Sequence, residues 1–346
     1  MSVHFATSEE ILTWDARLLA NPDGGNVFAS HEMATIKQNT GWRARYIIVD
    51  TIAITVLERY VFPFGKLWYL PKGPGITDTA ELSQFLKSLR VFAKKHSVFL
   101  VKIEPELLKT DKTTAFLSEQ GLHYAGSVQP NASTVLIDLK PSLETILTTM
   151  PQKARHAIRR ASRDGLIIKQ APIDDEHLSI MLALMKETMQ DKATHLRDDA
   201  YYFTFWKQFA QAGGALFIAY DGDEPVASAY VLKFGNKATY KDGGSVKRKT
   251  IYGASHALQW AIIEWLKESN VIVYDLCGAP PSSQRNNEKH PHYGIGLFKT
   301  GFNKTITDYV GAYDIPIRPL TYKLWNKIGH RVVTRFYYSV LKKYFY

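Results

Sequence analysis

The sequence predicts an α/β (α+β) protein made of two tandem copies of one unit, and three observations predict it. The run "YVFPFG" (Tyr60 to Gly65) is matched by "YVLKFG" (Tyr230 to Gly235). Each is followed by a second strand-like run, "KLWYLPKGPG" or "KATYKDGGS", and by a Gly-rich turn. Each turn then opens a helix-period segment that feeds an apolar strand ending near proline. These are "ELSQFLKSLRVFAKK" into "VFLVKIEP", and "ASHALQWAIIEWLKE" into "VIVYDLCGAP". A short match arises by chance, but one order of elements kept over about fifty residues marks an internal repeat. Alternating strands and helices argue a mixed α/β architecture.

Taken in order, the hairpin comes first, from paired runs of aromatic and β-branched residues. The helix assignments rest on period: Leu258, Ile262, Trp265 and Leu266 fall on one face. An antiparallel hairpin, a glycine turn opening a helix, and then a strand form the centre of a GNAT-type acyltransferase unit. There the helix N-terminus and free backbone N–H groups face an anion or an acyl oxygen. In acetyltransferases of this fold the turn holds the coenzyme A pyrophosphate on closely spaced glycines. Here "PKGPGITDTA" and "GGSVKRKTIYGAS" give no clean version, and the prolines of the first remove amide donors. Coenzyme A is therefore disfavoured.

Composition narrows the partners. The chain has 346 residues, 45% apolar and 22% charged, which suits a globular protein with a real core and about two domains. Its 43 basic against 33 acidic side chains leave +10, favouring nucleic acid, phosphorylated small molecules or an anionic lipid surface. The single cysteine, Cys277, permits no disulfide within the chain, which fits a reducing cytoplasm. In "YDLCGAP" it reads as a small core residue. The N-terminus shows no signal peptide, and no apolar run approaches the ~20 residues of a membrane span. His290 and His292 lie close together without zinc-type spacing around them.

Further segments carry a resemblance. They are "LWYLPKGP" near Trp68, "VKIEP" near Glu104, "QPNASTVLIDL" from Gln129 and "MPQKARHAIRRASRDGL" from Met150. Later come "GGS" at Gly243, "ALQWAIIEWLKE" from Ala257, "VYDLCGAP" from Val273 and "GLFKTGFN" from Gly296. Together, over nearly the whole chain, they resemble the Fem family of aminoacyl-tRNA-dependent peptidyltransferases, which build peptidoglycan interpeptide branches. The resemblance implies two GNAT-like domains, at 1–139 and 140–310, with 311–346 folding back onto the first. With no long heptad insertion after Leu166, the chain looks like the shorter type that lacks a helical arm.

The implied reaction is aminolysis of an ester. Aminoacyl-tRNA is the donor, and a primary amine on the stem peptide of a lipid-linked or nucleotide-linked peptidoglycan precursor is the acceptor. Neither ATP nor a metal is needed, so no cofactor is expected. The site must align the reactants and stabilise an oxyanion. By composition alone Lys299 reads as a surface lysine on a turn. The resemblance makes Lys299, with Phe298, the catalytic pair: a fixed cation, with Phe298 and Phe302 excluding water. As a general base Lys299 is less suitable, because a lysine pKa of about 10.4 would have to fall far.

The same resemblance assigns the diphosphate-bearing acceptor to Lys37 and Asn39, and to Arg197 and Tyr201, whose spacing of four predicts one helix face. Glu104 stands where the family has Asp before Pro. Tyr240 falls on a hairpin strand, either facing the site or in the core. Asp242 opens "DGGS" where "Tyr-Ala-Gly-Ser" is common, which puts the acceptor's identity in question.

Two basic stripes remain. Arg155, Arg159 and Arg163 line one row of a helix whose other side is Ala154, Ala157, Ile158 and Ala161, and are assigned to tRNA. Beyond Asp314 there is no acidic residue; Lys323, Lys327, Arg331 and Arg335 recur every four positions beside Leu324, Ile328 and Val332. That tail fits tRNA and an anionic membrane about equally. The expectation is a monomeric cytoplasmic enzyme working at the inner membrane face. The competing readings are a coenzyme A-dependent GNAT N-acetyltransferase and a non-catalytic tRNA- or membrane-binding protein.

Overall fold

The computed structural model describes all residues except 130–131, 191–195, 249–251 and 341–343. Pro130 and Asn131 of "QPNAS", His195 of "HLRDD", Lys249 to Ile251 of the second glycine turn, and Lys342 and Lys343 of the basic tail lie outside the described residues.

The chain divides into two compact units, Met1–Ala132 with Tyr309–Tyr346, and Ser133–Asp308. In chain order, unit 1 contains β1 (Val3–Phe5), α1 (Ser8–Leu12), α2 (Trp14–Leu19), α3 (His31–Gln38) and β2 (Arg43–Val49). It continues through β3 (Ile52–Val61), β4 (Gly65–Leu70), α4 (Thr79–Lys95), β5 (Val98–Ile103), α5 (Asp111–Glu119) and β6 (His123–Tyr124). Unit 2 follows with β7 (Ser133–Thr134), β8 (Leu136–Asp138), α6 (Leu143–Thr149), α7 (Gln152–Arg163) and β9 (Ile167–Ala171). Then come α8 (Asp175–Met189), α9 (Asp199–Phe209), β10 (Gly214–Asp221), β11 (Glu224–Phe234) and β12 (Lys237–Ser245). Unit 2 ends with α10 (Ala254–Glu268), β13 (Val273–Asp275), α11 (Tyr293–Lys299) and β14 (Thr307–Asp308). The chain returns to unit 1 as β15 (Tyr313–Pro316), α12 (Pro319–Leu324), a π turn (Trp325–Gly329) and α13 (His330–Ser339).

Both units show the GNAT-like arrangement. In unit 1 the β3–β4 hairpin is antiparallel, α4 follows, and β5 pairs parallel with β4. In unit 2 the β11–β12 hairpin, α10 and the β12–β13 parallel pair repeat it. The sequence reading set the junctions at 139/140 and 310/311. The observed division falls earlier, at 132/133 and 308/309, because β8 pairs with β13 and β7 with β14 inside unit 2.

Each helix has a local cause. Asp78 caps α4 by accepting from the backbone N–H groups of Ala80 and Glu81, both at 2.9 Å. Its Leu82, Phe85, Leu86, Leu89 and Ala93 form the buried stripe. On α10, Leu258, Ile262 and Leu266 are buried and Trp265 packs at their edge. The α10 N-cap, Gly253, has φ +87°, and a Cβ there would run into the Ala157 carbonyl, so only glycine lets α7 cross so closely. In unit 1 both sheet faces are covered, one by a core around Trp68, Phe85 and Leu89, the other by one around Trp42, Tyr69 and Trp325. No helix among the described residues is long and apolar enough to cross a membrane.

Candidate active site

Strands β12 and β13 run together from Lys237 opposite Val273 to Thr239 opposite Asp275, and then part. Beyond Asp275 the chain turns through two left-handed residues, Cys277 (φ +56°) and Gly278 (φ +60°). The Asp275 carboxylate fixes that turn by accepting from the Cys277 N–H at 2.7 Å and from the Thr134 hydroxyl. The β12–β13 pairing ends there, at the carboxyl ends of two parallel strands, the position where open α/β sheets receive ligands.

Lys299 reaches this strand end from the last position of α11. Its buried Nζ donates to the Cys277 carbonyl and, at 2.8 Å, to the Gly278 carbonyl. An ammonium has three N–H donors, so one finds no hydrogen-bond acceptor among the described residues. The Tyr240 ring centroid lies 5.8 Å away. Burial lowers the Lys299 pKa, with Cys277 and Asp275 opposing it. The lysine therefore ends a helix and does not sit on a surface turn. Gly296 makes this approach possible: a Cβ there would come 2.5 Å from Pro280 Cδ.

Phe298 and Phe302, expected to bracket the ammonium, pack on each other and on His256, and the ring near the ammonium is that of Tyr240. The two Phe rings lie 5.4 Å apart, edge to face, and contact His256 at 5.1 and 5.3 Å. Phe302 belongs to the core, and Phe298, in α11, packs against that core. Burial, then Lys153, hold the His256 pKa down at about 4, which keeps its imidazole neutral near pH 7.

A second charged group borders Tyr240. The β11–β12 register shifts where Tyr230 faces Asp242 and Val231 faces Tyr240, so Lys241 is the extra residue of a bulge. Lys241 Nζ meets Asp242 Oδ1 at 3.0 Å, and Trp206 Nε1 donates to Asp242 Oδ2 at 3.0 Å. Burial works against the Lys241 charge, but Asp242 and Tyr201 outweigh it and raise the pKa. Burial and Asp242 likewise push the Tyr240 phenol up. Sequence reasoning missed Lys241 because a bulge is set by pairing register. The adjacent Lys–Asp ahead of two glycines was the available signal.

Arg197 and Tyr201 do meet, with the guanidinium 4.5 Å from the ring centroid. They do not share a helix face, however. Asp198 caps α9 by accepting from the Tyr201 N–H at 2.7 Å, so Arg197 precedes the helix and folds over its first turn. Arg159 and Arg163 are exposed on α7, whereas half-buried Arg155 donates to the Thr148 carbonyl at 3.0 Å.

The other expected residues lie in unit 1. Lys37 is half-buried in the last turn of α3, and Asn39 is its exposed C-cap. Glu104 is buried, and its carboxylate is fully engaged. It accepts from the Tyr69 hydroxyl at 2.6 Å, the Ser127 hydroxyl at 3.1 Å, and the Val128 and Gln129 N–H groups at 3.0 Å. This corrects the substrate-binding expectation: Glu104 ties the 127–129 loop to β5. Among the described residues no cluster of His, Cys, Asp and Glu is suited to a metal.

Comparison with known proteins agrees with this architecture. The chain is similar to UDP-N-acetylmuramoylpentapeptide-lysine N(6)-alanyltransferase of Weissella viridescens, 26% identical over 271 residues, 74% of this chain and 78% of that protein. It is similar to lipid II:glycine glycyltransferase of Staphylococcus aureus strain MRSA252, 20% identical over a 404-residue alignment covering 92% of this chain and 94% of that one. Its fold matches the crystal structure of FemX at a TM-score of 0.80 and 18% identity, covering 95% of this chain and all (100%) of that one. The L-PGS structure from Bacillus licheniformis matches at 0.53 and 14% identity, covering 95% and 97%. The model of the FemAB family matches residues 16–220 and 214–330, and the chain belongs to that family.

Proposed function

We propose that this chain is a cytoplasmic aminoacyltransferase that moves an amino acid from aminoacyl-tRNA to an amine on the stem peptide of a peptidoglycan precursor. The reactions named for the two relatives, alanyl transfer and glycyl transfer, support the reaction class. The observation that carries the reading is the Lys299 ammonium, held by two carbonyls at the strand end with one N–H that finds no acceptor among the described residues.

In this reading the acceptor amine attacks the ester carbonyl, a C–N bond forms and the ester C–O bond breaks. The tRNA 3′ oxygen leaves with a proton that originated on the amine. The carbonyl oxygen becomes an oxyanion on the way, and the third Lys299 N–H donates to it. A positioned cation in a water-poor site is worth most at that point. Two carbonyl acceptors favour the charged form, which suits an electrostatic role better than a base. In unit 2, Arg197 stacked on Tyr201 supplies diphosphate contacts. The Lys241–Asp242 pair reads the acceptor's amine end, and Arg159 and Arg163 contact tRNA phosphates.

The test is incubation of the protein with a mixed pool of charged tRNAs and purified precursors, nucleotide-linked and lipid-linked, read by product mass. A gain of one or more aminoacyl units, dependent on charged tRNA, is expected. Acetylation from acetyl-CoA with no aminoacyl gain would overturn the reading.

A further inference from the structure

In unit 1, α12, the π turn and α13 form one unbroken helix from Pro319 to Ser339. Residues four apart run in rows along it. Trp325, Gly329, Val333 and Tyr337 form the row against the sheet, packing around Trp42, Phe99 and Phe345. The next row, one residue earlier, is Leu324, Ile328, Val332 and Phe336, exposed by 53, 51, 58 and 50%. Leu320 (82%) and Val340 (62%) extend it at either end. The row beyond is Lys323, Lys327, Arg331 and Arg335, all exposed, and no carboxylate pairs with them among the described residues. The β3–β4 turn adjoins the helix through Phe64, whose ring lies 5.3 Å from Trp325, and that turn presents Phe62 at 82% exposure.

Single exposed apolar residues are ordinary, but a continuous row of six is not. Its neighbour decides the occupant. A second copy docked by two-fold symmetry would set the basic row against itself. Nucleic acid would suit the basic row, but five of the six apolar positions are Leu, Ile or Val, which offer bases no stacking surface. An anionic bilayer satisfies both rows at once: aliphatic side chains enter the acyl boundary while the adjacent cations meet the headgroups.

We propose that the 319–339 helix is a peripheral docking face for an anionic lipid bilayer, lying in the interface with its Leu324–Phe336 row immersed. This proposal does not depend on the transfer reaction. The test is flotation of the full chain with vesicles of phosphatidylcholine alone or with phosphatidylglycerol added. Flotation only with the anionic vesicles, weakened by salt, is expected. Replacing Lys323, Lys327, Arg331 and Arg335 together by Gln should weaken binding at least about tenfold, and so should Leu324→Ser with Ile328→Ser. Both variants should melt as the parent does, since the altered side chains are exposed. The Lys299→Met variant should float normally, so loss of transfer and loss of lipid binding are separable. Flotation that ignores lipid charge would overturn the proposal. So would a four-Gln variant that floats normally but loses tRNA retention, or a Ser variant whose only change is its oligomeric mass.

Discussion

In unit 1 the strand after the repeated helix is followed directly by Glu104, whose carboxylate is saturated by Tyr69, Ser127, Val128 and Gln129. In unit 2 the equivalent strand ends at Asp275, and two residues on, the Cys277 carbonyl meets a lysine from α11, one of whose N–H groups finds no acceptor among the described residues. Tyr69 and Tyr240 hold the same place in the repeat, the ends of "KLWY" and "KATY". One phenol donates to an internal carboxylate, and the other lies beside the ammonium. The same hairpin–helix–strand frame thus makes a brace in one copy and a candidate reaction centre in the other. The difference is whether the polar groups at the strand end find all their partners among the described residues.

The comparison can be broken most forcefully at Glu104. Glu104→Ala orphans several buried donors, and urea unfolding should show a loss of about 3 kcal/mol or more. Transfer per folded molecule should stay near normal in the cold. A variant as stable as the parent but inactive would place chemistry in unit 1 and erase the contrast.

His256 provides the next test, on the unit 2 side. Its folded pKa is about 4 against an ordinary 6.5, so between those values the unfolded chain binds the proton and the folded chain does not. Stability should therefore fall as pH drops through that window, by about 3 kcal/mol in all. Denaturant titrations at successive pH values should show this slope, and His256→Phe should flatten it.

Smaller effects sharpen the picture. Asp242→Asn removes the charge that pairs with Lys241 and should lower kcat/KM about tenfold, near the 1.5 kcal/mol typical of a charged hydrogen bond. Asp242→Tyr should change the ranking of acceptors; the same ranking would remove this residue from acceptor choice. The mildest change is Arg159→Gln with Arg163→Gln. Protein stability should hold, while the salt-dependence slope of tRNA binding drops by about 2. An unaltered slope would return α7 to a solvated face.

Much of the frame was legible because it is written in period. Hairpins, the α4 and α10 stripes and the two-fold recurrence depend on local pattern, and the structure shows them at the expected places. Lys299 emerged from motif resemblance, since one lysine among glycines has no local signature. What stayed hidden depends on register and three-dimensional packing. The bulge that creates the Lys241–Asp242 pair is a pairing event, and Gly296 is explained by Pro280, sixteen residues earlier in the chain. Glu104 looked like a ligand because the strand end alone does not reveal the loop at 127–129 that saturates it.

The central claim is that the Lys299 charge, in unit 2, stabilises the oxyanion. The direct measurement is single-turnover transfer from charged tRNA to purified precursor by the parent and by Lys299→Met, over a range of pH. The account predicts a folded variant slowed at least about a hundredfold. It also predicts a parent rate that falls at alkaline pH below the ordinary lysine value of 10.5, because burial lowers this pKa and deprotonation removes the charge. A Lys299→Met protein that transfers at nearly the parent rate would contradict it.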